Sequence, residues 1–185
     1  MTLTKTSICE FGKKADFFEL KSTENKLINL DNIKGENGLL VIFICNHCPY
    51  VVATIKDIVE TSKELKKYKV NSIAIMSNDP TDYPEDSFDN MKKLATKYNF
   101  TFPYMYDETQ EVAKLYGAVC TPDFFGFNKN KKLQYRGRLD ASRKEAGSPD
   151  LRRDLFEAMK NVAQTGKGPS EQIASMGCSI KWKSN

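Results

Sequence analysis

The side chains of this 185-residue sequence that are best suited to nucleophilic or metal chemistry are five cysteines and a single histidine. Three of them, Cys45, His47 and Cys48, lie in one short segment, Ile-Cys-Asn-His-Cys-Pro-Tyr. Two cysteines separated by two residues are typical of thiol redox sites near a βαβ unit. An odd number of irregularly spaced cysteines does not suit a structural disulfide framework, so we interpret these thiols as reactive or metal-binding groups.

Cys48 is the candidate nucleophile because of the elements predicted on either side of it. A continuous apolar run over residues 39–44 predicts a strand buried on both faces, and Pro49 is favoured at the first position of a helix. The start of a helix presents unpaired N–H groups and a partial positive charge, which favour a thiolate. His47 would add a positive charge when protonated. The alternative interpretation is a small buried side chain, which is common for cysteine.

Redox turnover requires a second thiol to resolve the intermediate. Cys45 either reaches Cys48 across a turn or points into the core. Cys178 lies in the C-terminal tail, where a mobile cysteine suits the resolution of a sulfenic acid or a mixed disulfide. In the alternative interpretation the tail is docked, Ile180 and Trp182 cover apolar surface, and Cys178 is buried beside them.

Three charged residues and one further cysteine are weaker candidates. Asp123 is either a proton relay near the site or a carboxylate at the start of a strand. Arg136 and Arg138 alternate on a predicted strand and share one face, which either binds an anionic substrate, such as a glutathione carboxylate, or faces solvent at an edge. Cys9 lies near the N-terminus, and no role is expected for it.

Apolar periodicity and turn residues predict the elements that position these groups. We predict a hairpin over residues 16–30, strands over 39–44, 70–76, 102–106, 124–127 and 133–139, and helices over 49–68, 88–98 and 112–116. A last helix is predicted to be capped by Ser148 and to begin at Pro149. Strands that alternate with helices predict an α/β sheet, and the closing strand–strand–helix order adds an antiparallel edge. Ligands bind beyond the carboxyl ends of such strands, which is where the cysteine segment lies.

The length favours a single domain over residues 1–185, with a hairpin extension (1–38), a core (39–165) and an irregular tail (166–185). A net charge of +4 without a dense basic stripe argues against nucleic acid as a partner. The longest apolar run has seven residues, and no apolar stretch follows Lys5, so neither a membrane span nor a signal peptide is expected. We therefore expect a cytoplasmic protein.

Two segments resemble the thioredoxin superfamily, and specifically its peroxiredoxin-like branch, which is related to the alkyl hydroperoxide reductase/thiol-specific antioxidant proteins. They are VIFICNHCPYV at residues 41–51 and YGAVCTPDFFGFNKNKKL at residues 116–133. The resemblance spans about residues 39–163. It implies a thioredoxin-like mixed sheet flanked by helices, and the inserted helix at 88–98 is similar to that of the peroxiredoxin-like branch.

The resemblance also implies roles for individual residues. His47 takes the position of the family's tryptophan, and Cys48 takes that of the attacking cysteine. Pro122 takes the place of the cis-proline, with Thr121 before it. A cis bond there would turn the Thr121 backbone toward the Cys48 sulfur and offer strand-like hydrogen bonds to a bound peptide or to a partner's disulfide. The cis-proline loop would also bring Cys120 close to Cys48, as a further candidate for the second thiol.

The sequence departs from the family pattern at several positions. Val51 stands where thioredoxins have their second cysteine and where peroxiredoxins have the cysteine that attacks peroxide. Cys48 and Pro49 stand in place of an expected threonine, and Pro122 stands about where peroxiredoxins have an arginine. These departures argue against typical peroxiredoxin peroxidase chemistry.

The leading hypothesis is a thiol-dependent oxidoreductase of the antioxidant, redox-homeostasis type. Cys48 attacks a peroxide or a disulfide, and Cys45, Cys120 or Cys178 resolves the intermediate. Electrons come from a thioredoxin- or glutathione-type reductant, and no organic cofactor is expected.

Two other functions are compatible with the same residues. In a metal-binding protein, Cys45, His47 and Cys48, joined by Cys120 or Cys178, would offer soft ligands to copper(I) or zinc. A non-catalytic binding module would keep the fold and use its groove for partners.

Overall fold

A seven-stranded mixed sheet forms the core of the protein. A second sheet of three strands includes residues 120–121, which come just before a strand of the large sheet. The computed structural model describes residues 2–145, 147–148 and 150–184. In chain order the elements are β1 (Leu3–Lys5), β2 (Glu19–Ser22), β3 (Leu27–Asn29), α1 (Leu30–Ile33), β4 (Gly38–Phe43), α2 (Pro49–Lys66), β5 (Val70–Met76), a 3₁₀ turn (Pro84–Asp86), α3 (Phe88–Lys97), β6 (Tyr104–Tyr106), α4 (Glu111–Tyr116), β7 (Cys120–Thr121), β8 (Asp123–Asn128), β9 (Leu133–Tyr135), α5 (Asp154–Thr165) and β10 (Met176–Ser179). The large sheet has the order β3-β2-β6-β5-β4-β8-β9, and the small sheet has the order β1-β10-β7.

The strand β4 is buried along its whole length, as its continuous apolar run predicts. It pairs in parallel with β5 on one side and antiparallel with β8 on the other. β5 pairs in parallel with β6, whereas the β2–β3 hairpin and the edge strand β9 pair antiparallel. The predicted mixed α/β sheet, its N-terminal hairpin and its antiparallel edge are therefore confirmed.

Two apolar clusters cover the two faces of the large sheet. Successive residues of a strand point to opposite faces, so the apolar run of β4 requires cover on both sides. On one face α2 and α5 contact each other and bury Ile55 and Met159 in a cluster with Leu40. On the other face Val41 lies in a cluster with Tyr116 of α4.

The prediction that Ser148 caps the last helix and that Pro149 begins it is wrong. α5 begins at Asp154, and Pro149 lies outside the described residues. The Ser148 carbonyl instead accepts a hydrogen bond from the N–H of Leu151 at 3.1 Å, which closes a turn. The physical reason is burial, because Leu155 is the first residue of the apolar stripe that is fully buried, whereas Leu151 is only half-buried.

The strand predicted over residues 133–139 ends at Tyr135, so the prediction is wrong beyond that residue. The N–H of Arg136 donates to the side chain of Gln172 at 2.8 Å, and the N–H of Arg138 donates to a carbonyl of the same returning segment at 2.8 Å. The C-terminal segment thus accepts the hydrogen bonds that a longer strand would have made.

The C-terminal tail contains a strand, in contrast to the irregular conformation expected for residues 166–185. β10 pairs antiparallel with β1 on one side and with β7 on the other. In these two registers Cys178 stands opposite Leu3 and opposite Thr121. The tail therefore joins the N-terminal segment to the loop that carries Pro122.

A buried ion pair anchors the connection from β7 into β8. Asp123 is fully buried, and its Oδ2 accepts a hydrogen bond from Arg136 Nη2 at 3.2 Å. Arg136 also donates to Gly117 O at 2.7 Å. Asp123 is thus a carboxylate at the start of a strand. The two arginines form neither a shared anion-binding face nor a solvated edge, because Arg138 pairs separately with Asp154 at 2.8 Å.

Arg136→Ala is expected to lower the free energy of unfolding by about 3–5 kcal/mol, because it leaves the Asp123 carboxylate buried without its counter-ion. The matched control is Arg138→Ala, since the Arg138 side chain is 31% exposed and its ion pair contributes about 1 kcal/mol or less. Urea unfolding of both variants measures the difference. Equal losses in the two variants would contradict the anchoring role of the Asp123–Arg136 pair.

Candidate active site

Cys48 lies at the start of α2, as its position before Pro49 predicts. It is the N-cap residue of the helix, and Pro49 is the first helical residue. The N–H of Val51 helps to lower the pKa of the Cys48 thiol, and the N–H of Val52 donates to the Cys48 carbonyl at 2.9 Å. The sulfur therefore occupies the place at which a helix binds an anion through its unpaired N–H groups.

The loop before β8 lies against this sulfur. The Thr121–Pro122 peptide bond is cis, as the resemblance implies. Thr121 O lies 3.1 Å from Cys48 Sγ, and Thr121 Oγ1 lies 3.3 Å from Cys45 Sγ. Thr121 therefore contacts both Cys45 and Cys48.

Of the three candidates for a second thiol, Cys178 is placed best for bonding to Cys48. The two sulfur atoms are 3.0 Å apart, which is longer than a disulfide bond of about 2.0 Å, so no disulfide joins them. Cys45 also forms a hydrogen bond with the Cys48 sulfur. The Cys120 thiol instead donates to Pro122 O at 3.7 Å.

The two interpretations of the tail are both partly right. The tail is docked, and Cys178 and Ile180 are buried with 4% and 3% exposure. Trp182 does not cover apolar surface fully, because it remains 42% exposed. Docking does not remove Cys178 from the chemistry, since it is the docked strand that holds this thiol against Cys48.

Hydrogen bonds lower the pKa of Cys48 to about 5. The largest cause is the Cys45 thiol, which donates to the Cys48 sulfur, and it outweighs the burial that raises this pKa. The Cys178 thiol, the Cys178 N–H and the Val51 N–H also donate to the sulfur. The expected effect of the helix start is thus present through Val51, but the sequence did not identify Cys45 as the main donor.

The neighbouring thiols are shifted in the opposite direction. Hydrogen bonding to Cys48 and burial raise the pKa of Cys45. Burial, followed by hydrogen bonding to Cys48 and the charge on Cys48, raises the pKa of Cys178 to about 12. Of the three thiols, Cys48 is therefore the one that ionises most easily.

The site is closed to solvent. Cys48 is 0% exposed, and β10 covers it on the side of the cis-proline loop. A cleft of about 60 Å³ reaches Cys178 from the surface, and it is bordered by Pro49, Tyr50, Lys144 and Gly177, together with Thr2 and Leu3. The sulfur that lies nearer to the surface is therefore that of Cys178, and a substrate of Cys48 requires the tail to move.

The His47 ring lies against the carboxylate of Asp86, a residue that the sequence does not single out. Its Nδ1 lies 2.7 Å from Asp86 Oδ2, and its ring stacks on that of Tyr83 with 4.7 Å between centroids. Asp86 is fully buried and also accepts hydrogen bonds from the Asn46 N–H at 2.7 Å and from Asn78 Nδ2 at 2.8 Å. Because Asp86 lies in a 3₁₀ turn after an acidic loop, no spacing in the sequence connects it to His47.

A possible metal-ligand set differs from the predicted one. Cys45, His47 and Asp86 place one ligand atom each within 4.8 Å of one another, so Asp86 takes the place expected for Cys48. Both Asp86 oxygens already accept hydrogen bonds, and the Cys45 sulfur lies at Thr121 Oγ1. A metal ion bound by the carboxylate, by His47 Nδ1 or by the Cys45 sulfur would have to displace these bonds, whereas His47 Nε2 is buried without a hydrogen-bond partner.

Sequence comparison places the chain in a family of thiol enzymes. The profile of the AhpC/TSA family matches residues 11–136. The chain belongs to the AhpC/TSA family. The thioredoxin-like fold and the peroxiredoxin-like resemblance are thus confirmed, and a thiol-dependent redox function follows from the family and its relatives.

Three relatives illustrate the similarity. The structure of an uncharacterized conserved protein from Geobacillus kaustophilus is 40% identical and has a TM-score of 0.93, covering 100% of this chain and 98% of that one. Thiol-disulfide oxidoreductase ResA from Bacillus thuringiensis is 26% identical over 132 residues, which are 70% of each chain. A protein of Coxiella burnetii that carries the peroxiredoxin name bcp is 25% identical over 117 residues, 63% of this chain and 72% of its own.

Among the described residues, no helix has the length and apolar character that crossing a bilayer requires. The cytoplasmic location and the division into extension, core and tail stay predictions.

Cys45→Ala is expected to raise the pKa of Cys48 from about 5, because the substitution removes the hydrogen bond that lowers it most. A pH titration of thiolate ultraviolet absorbance measures this pKa without requiring access to the buried sulfur. Cys120→Ala is the control, since its thiol faces Pro122 O. An unchanged titration in Cys45→Ala would contradict the assignment of Cys45 as the main donor.

Asp86→Asn is expected to lower the pKa of His47, because the Asp86 hydrogen bond is the largest cause of its upward shift. The chain contains one histidine, so its imidazole proton resonances can be followed by NMR across a pH series without assignment. Glu85→Gln removes a neighbouring carboxylate with a smaller effect and is the control. Equal shifts in the two variants would show that the 2.7 Å contact does not set the histidine charge.

Proposed function

We propose that the protein is a thiol–disulfide oxidoreductase whose redox pair is Cys48 and Cys178. The observation that carries this proposal is the 3.0 Å distance between the two sulfurs, one of which has a strongly lowered pKa. Family membership supports a redox role for cysteine, and the likeness to ResA supports a disulfide or thiol as the substrate.

The first step is attack of the Cys48 thiolate on a substrate disulfide. The sulfur–sulfur bond of the substrate breaks, a bond forms between Cys48 and one substrate sulfur, and the other substrate sulfur leaves as a thiolate that takes a proton. Below about pH 5 the attack slows, because Cys48 is then increasingly protonated.

The second step is attack of Cys178 on the Cys48 sulfur of this mixed disulfide. The remaining substrate sulfur leaves and takes the proton of the Cys178 thiol, so two electrons pass from the protein to the substrate. Before the first step the negative charge on Cys48 helps to raise the pKa of Cys178. The mixed disulfide removes that charge, so Cys178 becomes easier to ionise when its attack is needed.

The resulting Cys48–Cys178 disulfide is returned to the dithiol by a thioredoxin- or glutathione-type reductant. A peroxide is a second possible oxidant, favoured by the likeness to the bcp protein. It would convert Cys48 to a sulfenic acid, and Cys178 would then condense with it and release water. Neither route uses nucleic acid, a membrane or an organic cofactor.

Limited oxidation of the full chain with diamide is expected to form a Cys48–Cys178 disulfide, which non-reducing peptide mapping detects. Cys48→Ser should abolish reduction of a small disulfide, and Cys178→Ser should allow the first attack but block turnover. Cys9→Ser is the matched control and should retain turnover, because Cys9 is half-buried and does not belong to the redox pair.

Three outcomes would contradict the proposal. Turnover by Cys48→Ser would remove Cys48 as the nucleophile. A Cys45–Cys48 disulfide in place of Cys48–Cys178 would assign resolution to Cys45. Stoichiometric zinc or copper after purification, with no thiol loss on oxidation, would instead favour the metal-binding function.

A further inference from the structure

We propose, on the basis of the function proposed above, that β10 is an internal substrate mimic, and that the extended segment of a protein disulfide replaces it on β7 during the reaction. The substrate class follows from the register of Cys178, from the glycine before it, and from the burial of Cys48 beneath the strand. The partner is a protein whose disulfide-bonded cysteine lies in an extended segment and follows a glycine.

Cys178 stands where the attacked cysteine of a bound substrate must stand. It pairs with Thr121 in antiparallel register, and its sulfur is 3.0 Å from that of Cys48. The N–H of Ile180 continues the pairing by donating to Val119 O at 3.1 Å. Backbone hydrogen bonds of this kind do not depend on the side chains, so another extended segment can form them.

The residue before the cysteine must lack a side chain. A Cβ atom built on Gly177 would lie 1.9 Å from Thr121 O and 2.6 Å from Thr121 C, and both are backbone atoms. A side chain at this place therefore forces the two strands apart. Any segment that docks in the same register meets the same restriction, so the edge of β7 selects glycine immediately before the cysteine.

The substrate cannot reach Cys48 while β10 is in place, because the Cys48 sulfur is fully buried. β10 belongs to the small sheet, so its departure breaks no pairing of the large sheet. Its far end is held by the buried side chain of Ile180 and by polar contacts, with the Lys181 N–H donating to Asn78 Oδ1 at 2.9 Å and Gln110 Nε2 donating to Lys181 O at 2.8 Å. The polar contacts can exchange for water when the strand leaves.

The substrate segment and β10 compete for the edge of β7. The substrate segment therefore docks for the first chemical step, and β10 docks for the second. With the substrate segment on β7, Cys48 attacks its cysteine, the substrate disulfide breaks, and the distant substrate sulfur leaves as a thiolate that is then protonated. While the mixed disulfide holds the segment on β7, Cys178 is displaced. When the segment unpairs, β10 docks again, the Cys178 sulfur bonds to Cys48, and the second substrate sulfur leaves with the Cys178 proton.

The first experiment measures access to Cys48 by alkylation with iodoacetamide and peptide mass spectrometry. Gly177→Val should displace β10 and raise the alkylation rate of Cys48 by about tenfold. Ser179→Ala is the matched control on the same strand and should leave the rate unchanged. Equal rates in wild-type protein and Gly177→Val, with both folded by circular dichroism, would overturn the idea that β10 is the cover.

The second experiment tests the substrate class and does not depend on the folding of Gly177→Val. Full-length Cys178→Ser is mixed with a peptide of residues 174–181 whose cysteine carries a thionitrobenzoate group, and release of this group is followed by absorbance. The control is the same peptide with Gly177→Val. The glycine peptide should react faster than the valine peptide by about tenfold.

Limited diamide oxidation of the wild-type protein separates failure of this inference from failure of the proposed function, because the Cys48–Cys178 disulfide can form while β10 is docked. If peptide mapping finds no such disulfide, the proposed redox pair is wrong, and the mimicry falls with it. If the disulfide forms but the two peptides react at equal rates, the function stands, and the assignment of β10 as a substrate mimic is overturned.

Discussion

The negative charge on one buried sulfur depends on hydrogen bonds from segments that are far apart in the chain. Burial alone disfavours a thiolate, and at Cys48 it acts against the hydrogen bonds that lower the pKa. The donors that reverse this effect are the Cys45 thiol, the Val51 N–H, and the thiol and N–H of Cys178. The nucleophile is therefore a property of the assembled site and not of a cysteine at a helix start alone.

The strand that completes this set of donors also closes the site. β10 brings Cys178 to the sulfur and at the same time leaves Cys48 without exposure. When the tail leaves, the donors from Cys178 leave with it, whereas Cys45 and Val51 belong to the segment around Cys48 and stay. Cys45 is thus the donor that can hold the charge in the open state, which gives the C-x-x-C spacing a purpose other than a disulfide.

The scaffold fixes the position of the cis-proline loop on which β10 docks. β4 and β8 are paired along the core of the large sheet, and the Asp123–Arg136 ion pair ties the first residue of β8 to Gly117 on the other side of β7. Buried ion pairs of this kind cost more to break than they contribute when intact, so they favour a single geometry. Thr121 can therefore serve as a fixed edge on which β10 docks.

The residues that act locally were predictable from the sequence. The buried strand β4, the helix that begins at Pro49 and the placement of Cys48 between them follow from apolar pattern and proline position, which are properties of neighbouring residues. The cis bond at Pro122 followed from the family resemblance of its segment and not from any physical preference of the chain. The start of α5 was misplaced because burial of Leu155, rather than the Ser-Pro signal, decides where that helix begins.

What the sequence by itself determined is the fold class and a thiol at the end of the central strand. Only the tertiary structure decided that Cys178 lies on Cys48, that Asp86 holds His47, and that the tail is a strand. The physical reason is that β10 has no apolar pattern of its own and becomes a strand because β1 and β7 satisfy its backbone hydrogen bonds. Contacts across 130 residues, such as that between the two sulfurs, leave no periodicity or spacing in the chain.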